Sequence, residues 1–235
     1  DRLWRRGREF LGVDVAIMGG AMTWVSERNL VAAISNAGGF GVIATGSMNP
    51  QQLSAEIDEF EKKYGYKPSA IRGAVDALAV FVHKDNPIQC MTMQQVDAVF
   101  SKTRKGGLDK DIATWGDLGL TGEWASKPIS LYGRNSASGT YGYFKEVALF
   151  NGDYKDAVKE QPGSSTVVQG VASDKFAIGY SGIGYKTADV RVVPLAAKAG
   201  AKCYEGTPEN AYAGDYPLAR FLYIYVNVNP NQKLA

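Results

Sequence analysis

The stretch Gly133–Glu146, GRNSASGTYGYFKE, sets an arginine, a run of small hydroxyl residues and a glycine directly before a segment that reads as a helix. The first amides of a helix have no intrahelical acceptor. Gly139 lacks the Cβ that would hold a bound group away from those amides. Arg134 offers a planar fork of N–H groups to two oxygens at once, and Ser138 and Thr140 offer hydroxyls. The positive end of the helix dipole, starting near Thr140, adds to these donors. Together they suit a small tetrahedral anion. The plainer reading of the same residues is a Ser138 or Thr140 helix cap beside an exposed arginine. Spacing alone leaves both open.

Outward from this stretch, ISLYGR reads as the strand that leads in, TYGYFKEVALF as the helix and SSTVVQGVAS as a second short helix. AIGYSGIGY is a glycine-studded strand and turn, in which Ser181 and Gly182 either close a tight turn or add a loop to the anion site. VRVVPLA and YPLARFLYIYVN read as strands. Upstream, SAIRGAVDALAVFVHKDNP is a long, nearly continuous apolar strand closed at Asp85–Pro87, and TMQQVDAVF an amphipathic helix with Thr92 as N-cap. The polar, glycine-rich run from Ser101 to Pro128 is predicted to be irregular. At the start of the chain, VDVAIMGG reads as a buried strand and FGVIATG as a second. The helix between them carries Leu30, Ala33, Ile34 and Ala37 at helical spacing and stops at Gly38–Gly39; another follows, with Pro50 in its first turn and Gly65 at its end. Strand, helix, strand, helix predicts an α/β fold with a parallel sheet.

Composition narrows the classes. The 235 residues are 45% hydrophobic and 21% charged, as in an ordinary globular protein with material for a sizeable core. The 26 basic and 24 acidic residues are well mixed, so no patch points to nucleic acid. The one basic cluster, Arg2, Arg5, Arg6 and Arg8, reads as a solvated helix face. No apolar run approaches the ~18 residues of a membrane span, and no leader pattern precedes the first element, so the expectation is a soluble, mature chain. Cys90 and Cys203 permit one disulfide without requiring it. Neither sits in a CxxC pair, and the lone His83 leaves no histidine partner, so no metal and no cofactor are expected. There is no P-loop and no Ser/His/Asp arrangement.

From about Asp58 onward, FEKKYGYKPSAIRGAVDALAVFVHKDNP, TWGDLGLTGEW, LYGRNSASGTYGYFKE, QPGSS, AIGYSGIGYKTA and YPLARFLYIYVN resemble the phosphate-binding proteins of bacterial phosphate ABC importers. The resemblance implies a two-lobed periplasmic-binding-protein fold, type II-like, with mixed sheets flanked by helices. It implies that the lobes close on inorganic phosphate without chemistry, for delivery to a membrane permease, in a monomeric periplasmic or secreted protein whose leader has been removed. It makes Arg134, Ser138, Gly139 and Thr140 phosphate ligands. In that family a carboxylate accepts the proton of hydrogen phosphate and so rejects sulfate, because a buried carboxylate facing a fully ionised anion is heavily penalised. The lobes are expected at 1–80 with about 190–235, and at about 81–189.

Residues 1–57 depart from that pattern. IMGGAMTWVSERNLVAAISNAGGFGVIATGSMNP resembles the first strand, helix and second strand of flavin-dependent nitronate monooxygenase and enoyl reductase barrels, so the chain reads as two families joined near residues 56–60. The N-terminal lobe is therefore atypical. Thr23 and Ser47, with Gly20 and Thr45, are the nearest substitutes for the first lobe's donors, and none is a carboxylate. Asp76, the nearest acid in an apolar setting, reads as a structural or hinge residue. Two alternatives follow: a chimeric or scaffold derivative with weakened or lost phosphate binding, and a fragment of a flavin oxidoreductase. Against the second, an eight-unit barrel needs ~200 residues or more of repeating strand and helix.

Overall fold

The computed structural model describes residues 2–19, 28–42, 50–67 and 69–226. Their elements in chain order are α1 (Arg2–Leu11), β1 (Met18–Gly19), α2 (Arg28–Asn36), β2 (Phe40–Gly41), α3 (Pro50–Tyr64), β3 (Ser69–His83), β4 (Met91–Thr92), α4 (Met93–Phe100), β5 (Ser130–Arg134), α5 (Gly139–Val147), β6 (Lys159–Gln161), α6 (Ser164–Ser173), β7 (Ala177–Gly182), β8 (Val190–Val192), β9 (Leu195–Ala196), α7 (Pro208–Ala213) and β10 (Ala219–Val226). The chain divides into two compact units, Asp1–Ala74 with Leu222–Ala235, and Val75–Phe221. No described helix is long and apolar enough to cross a membrane.

In the first unit, the four arginines of α1 are exposed, as a solvated face requires. β1 and β2 form a short parallel pair, with α2 laid against β2. A Cβ at Gly41 would sit 2.5 Å from the Val31 carbonyl oxygen, so only glycine allows this approach. The expected strand VDVAIMGG is corrected here. Residues 13–15 bend, only Met18–Gly19 is strand, and Ile17 and Met18 are each 55% exposed. The described ladder has one neighbour, Phe40 to Val42, and no second strand to cover the other edge. The second half of FGVIATG lies outside the described residues.

A mixed sheet runs in the order β10-β3-β7-β5-β6, with β8 also paired to β3; the second unit holds all of it but the start of β3, before Val75, and the end of β10, after Phe221. The continuous apolar run of β3 follows from burial on both faces. Leu78, Val80 and Val82 point into a core shared with Val96, Val99 and Phe100 of α4 and Phe144 of α5, while Ala79 and Phe81 point to Val168 and Val171 of α6. Thr92 caps α4 as expected: its hydroxyl accepts from the Gln95 amide and the Gln95 side chain accepts from the Thr92 amide. The irregular run 101–128 holds two single-turn 3-10 helices, Trp115–Leu118 and Gly122–Trp124, and both tryptophans are buried edge to face.

VRVVPLA is not one strand. Pro194 has no amide to donate, so the chain leaves β3 after Val193 and changes partner: β8 runs antiparallel to β3 and β9 parallel to β4. A Cys90–Cys203 disulfide pins this corner, joining the residue before β4 to the residue before Tyr204, which pairs with Leu195. The two cysteines are 113 residues apart in sequence. Replacing both by serine is expected to lower unfolding free energy by about 3 kcal/mol or more, read from the urea midpoint of the full chain. An unchanged midpoint would contradict this role.

Candidate anion-binding site

β5 lies between two parallel neighbours, with Tyr132, Gly133 and Arg134 opposite Lys159, Glu160 and Gln161 of β6, and Ser130 to Tyr132 opposite Ala177 to Gly179 of β7. Because β5 and β6 run the same way, α5 and α6 both begin at the same edge of the sheet. Parallel α/β sheets hold ligands at this carboxyl edge, where helix amides face outward.

After Arg134 the ladder continues for one bond, from the Asn135 amide to the Gln161 carbonyl, and a turn then closes from the Ser138 amide to the Asn135 carbonyl. Ser138 has extended backbone and its hydroxyl accepts from the Thr140 amide at 3.1 Å, so α5 opens at Gly139. Gly139 is exposed, and Arg134, Ser138 and Thr140 are half-buried. The Ser138 hydroxyl keeps its own proton for another acceptor.

The Arg134 side chain crosses to the neighbouring strand end. Nη1 donates to the Ser164 hydroxyl at 2.7 Å and Nη2 to the Pro162 carbonyl at 3.2 Å, while Nε is buried without a partner among the described residues. Its backbone carbonyl accepts from the Tyr180 hydroxyl at 3.4 Å. Burial pushes the Tyr180 phenol above its ordinary value, which keeps it a neutral donor. The Tyr180 ring stacks on Phe144 with centroids 3.8 Å apart, fixing α5 over β7. Gly133 makes room for this, since a Cβ there would lie 2.7 Å from the Tyr180 ring.

Arg134, Ser138, Gly139 and Thr140 thus share one loop and helix start, whereas Thr23 and Ser47, like Gly20 and Thr45, lie outside the described residues. Ser181 belongs to neither a turn nor a site loop: it is buried within β7, opposite Ala79. Asp76 forms an ion pair, accepting from Arg220 Nε and Nη2 at 3.2 Å each. The Arg220 guanidinium also lies 4.2 Å from the centre of the Tyr143 ring, whose phenol burial pushes up to about 12. Ser164 and Pro162 were not foreseen as neighbours of Arg134. Their one signal was QPGSS, a second small-residue run before a helix.

The PBP superfamily domain matches residues 37–234. The chain belongs to the PBP superfamily. This member is 60% identical over 194 residues to the phosphate-binding protein PstS of Pseudomonas aeruginosa, a match covering 83% of this chain and 60% of that one. It therefore spans about 60% of the length of that curated relative. Its structure resembles a putative phosphate ABC transporter substrate-binding protein with bound phosphate from Clostridium perfringens, with a TM-score of 0.54, 26% identity, and coverage of 72% of this chain and 62% of that one. A separate match of 38% identity over 58 residues, 24% of this chain and 16% of the relative, is to a probable nitronate monooxygenase of Staphylococcus aureus. The second resemblance read in the sequence thus has a counterpart, confined to this short match.

The cap at Ser138 gives the site a stability signature independent of any ligand. Ser138→Ala is expected to cost about 1 kcal/mol, and Ser138→Gly a few tenths, because alanine removes the acceptor without easing the backbone. Urea unfolding without added anions checks this; equal midpoints for wild type and Ser138→Ala would show that the hydroxyl does not cap α5.

Proposed function

We propose that this chain binds inorganic phosphate non-covalently at the carboxyl edge of β5 and β6, for delivery to the permease of an ABC importer. In this reading it is a monomeric periplasmic or secreted solute-binding protein with two lobes, and it performs no chemistry. The observation that carries it is Arg134 held at a parallel strand end, four residues before the Ser138 cap of a helix that opens with Gly139 and Thr140.

A phosphate ion gives up hydration on binding, and each oxygen then needs a donor in its place. Arg134 has three N–H groups beyond the two used in the contacts to Ser164 and Pro162. The Gly139 amide is free of intrahelical acceptors by its position. Ser138 and Thr140 supply hydroxyl protons, and the α5 dipole favours negative charge. Every one of these groups donates and none is an anion. The name of the Pseudomonas relative and the phosphate bound in the Clostridium neighbour support the same ligand.

Calorimetric titration of the full chain with phosphate tests this. Wild type is expected to bind, and Arg134→Ala to bind more weakly by about 2 kcal/mol or more, roughly 30-fold, because the lost bond is charge-assisted and to a desolvated anion. Absence of heat and of any thermal shift for wild type at millimolar phosphate would rule out a working site. An unchanged dissociation constant for Arg134→Ala would remove that residue from it.

A further inference from the structure

We infer that Ser164, at the first turn of α6, is a positioning residue for the anion site: with the Pro162 carbonyl it latches Arg134 through neutral acceptors, so the guanidinium is oriented while no carboxylate among the described residues pairs with its charge. This rests on the phosphate reading above and adds a residue from a second helix to it.

A guanidinium on a flexible stem loses rotamer entropy when it binds an ion, and holding it in place beforehand removes part of that cost. The latch does this at two points, Nη1 on the Ser164 hydroxyl at 2.7 Å and Nη2 on the Pro162 carbonyl at 3.2 Å. Neither partner carries charge. Two other arginines of this unit show what a structural contact looks like. Arg220 spends Nε and Nη2 on the Asp76 carboxylate. Arg191 spends Nε on the Asn86 carbonyl and Nη2 on the Ile88 carbonyl, which closes the same edge of the fork. Arg134 differs from both because Nε is buried and has no partner among the described residues. A buried donor without an acceptor is costly. An oxyanion that reached the Nε edge, which the latch leaves without an acceptor, would relieve that cost.

The latch is built by packing as well as by hydrogen bonds. α6 lies so close to β5 that a Cβ on Gly170 would fall 2.4 Å from the Tyr132 ring. The start of α6 is closed independently by Thr166, whose hydroxyl accepts from the Gly163 amide and donates to the Gly163 carbonyl. Replacing Ser164 therefore leaves the helix start intact.

The test titrates phosphate into full-length Ser164→Ala, Ser164→Thr and Ser164→Asp and into the Arg134→Ala and Ser164→Ala double variant, with unfolding temperatures taken in phosphate-free buffer. Ser164→Ala is expected to raise Kd about tenfold and Ser164→Thr to stay within about threefold of wild type. Ser164→Asp should raise Kd by about 30-fold or more, because a carboxylate would pair with Arg134 and repel the anion. It should unfold no lower than wild type, since an acid in the first turn favours a helix. A purely structural serine would give the same stability for aspartate but leave binding unmoved, so Kd separates the two readings. The double variant should bind no more weakly than Arg134→Ala alone. Binding by Ser164→Ala within about twofold of wild type, tight binding by Ser164→Asp, or additive losses in the double variant would overturn the latch while leaving the phosphate site standing. Failure of wild type to bind phosphate would overturn both.

Discussion

The parallel pairing of Tyr132–Arg134 with Lys159–Gln161 is the constraint on which the site depends. An antiparallel partner would put the next helix start at the opposite edge of the sheet. With parallel strands, the loop after β5 and the loop after β6 emerge side by side, and a side chain at the last residue of one strand can reach the first turn of the helix after the other. Arg134 does so. The anion chemistry is a consequence of that register, because a guanidinium, a capped helix start and small residues are all delivered to one edge.

Close packing keeps the register from slipping. β7 sits on the other side of β5, and its Tyr180 ring is stacked on Phe144 of α5 and edge to face with Phe100 of α4, so one aromatic ties the sheet to two helices. Gly133 and Gly170 are the openings that allow Tyr180 and Tyr132 to fill these positions. The charged edge strand β6, with Lys159 and Glu160 exposed, closes the sheet without offering an apolar edge to another chain.

Much of the second unit was legible in the sequence because local signals and burial agree there. The apolar run of β3 is covered on both faces, and the Thr92-to-Gln95 spacing of a capping box stands at the start of α4. SSTVVQGVAS became α6 at its read boundaries. β6 was missed because three residues of mixed polarity on an edge carry no periodicity. α7 was missed although Thr207 caps it and Pro208 follows, a signal outweighed by its six-residue length. In the first unit, VDVAIMGG carries the hydrophobicity of a strand, and hydrophobicity alone does not supply the neighbours that make one. The candidate loop was legible because all its donors lie within seven residues. The contact from Arg134 to Ser164 spans 30 residues and exists only through strand register, so no local pattern could announce it.

That an oxyanion sits against the opening turn of α5 is the claim most open to direct inspection. Amide proton and nitrogen shifts of the 15N-labelled chain, followed as phosphate is added, report each peptide hydrogen separately. The account predicts saturable downfield movement of the Gly139 amide proton, with its immediate neighbours following the same binding curve. Saturable shifts elsewhere with Gly139 and its neighbours unmoved would contradict it, placing the ligand on some other part of the protein.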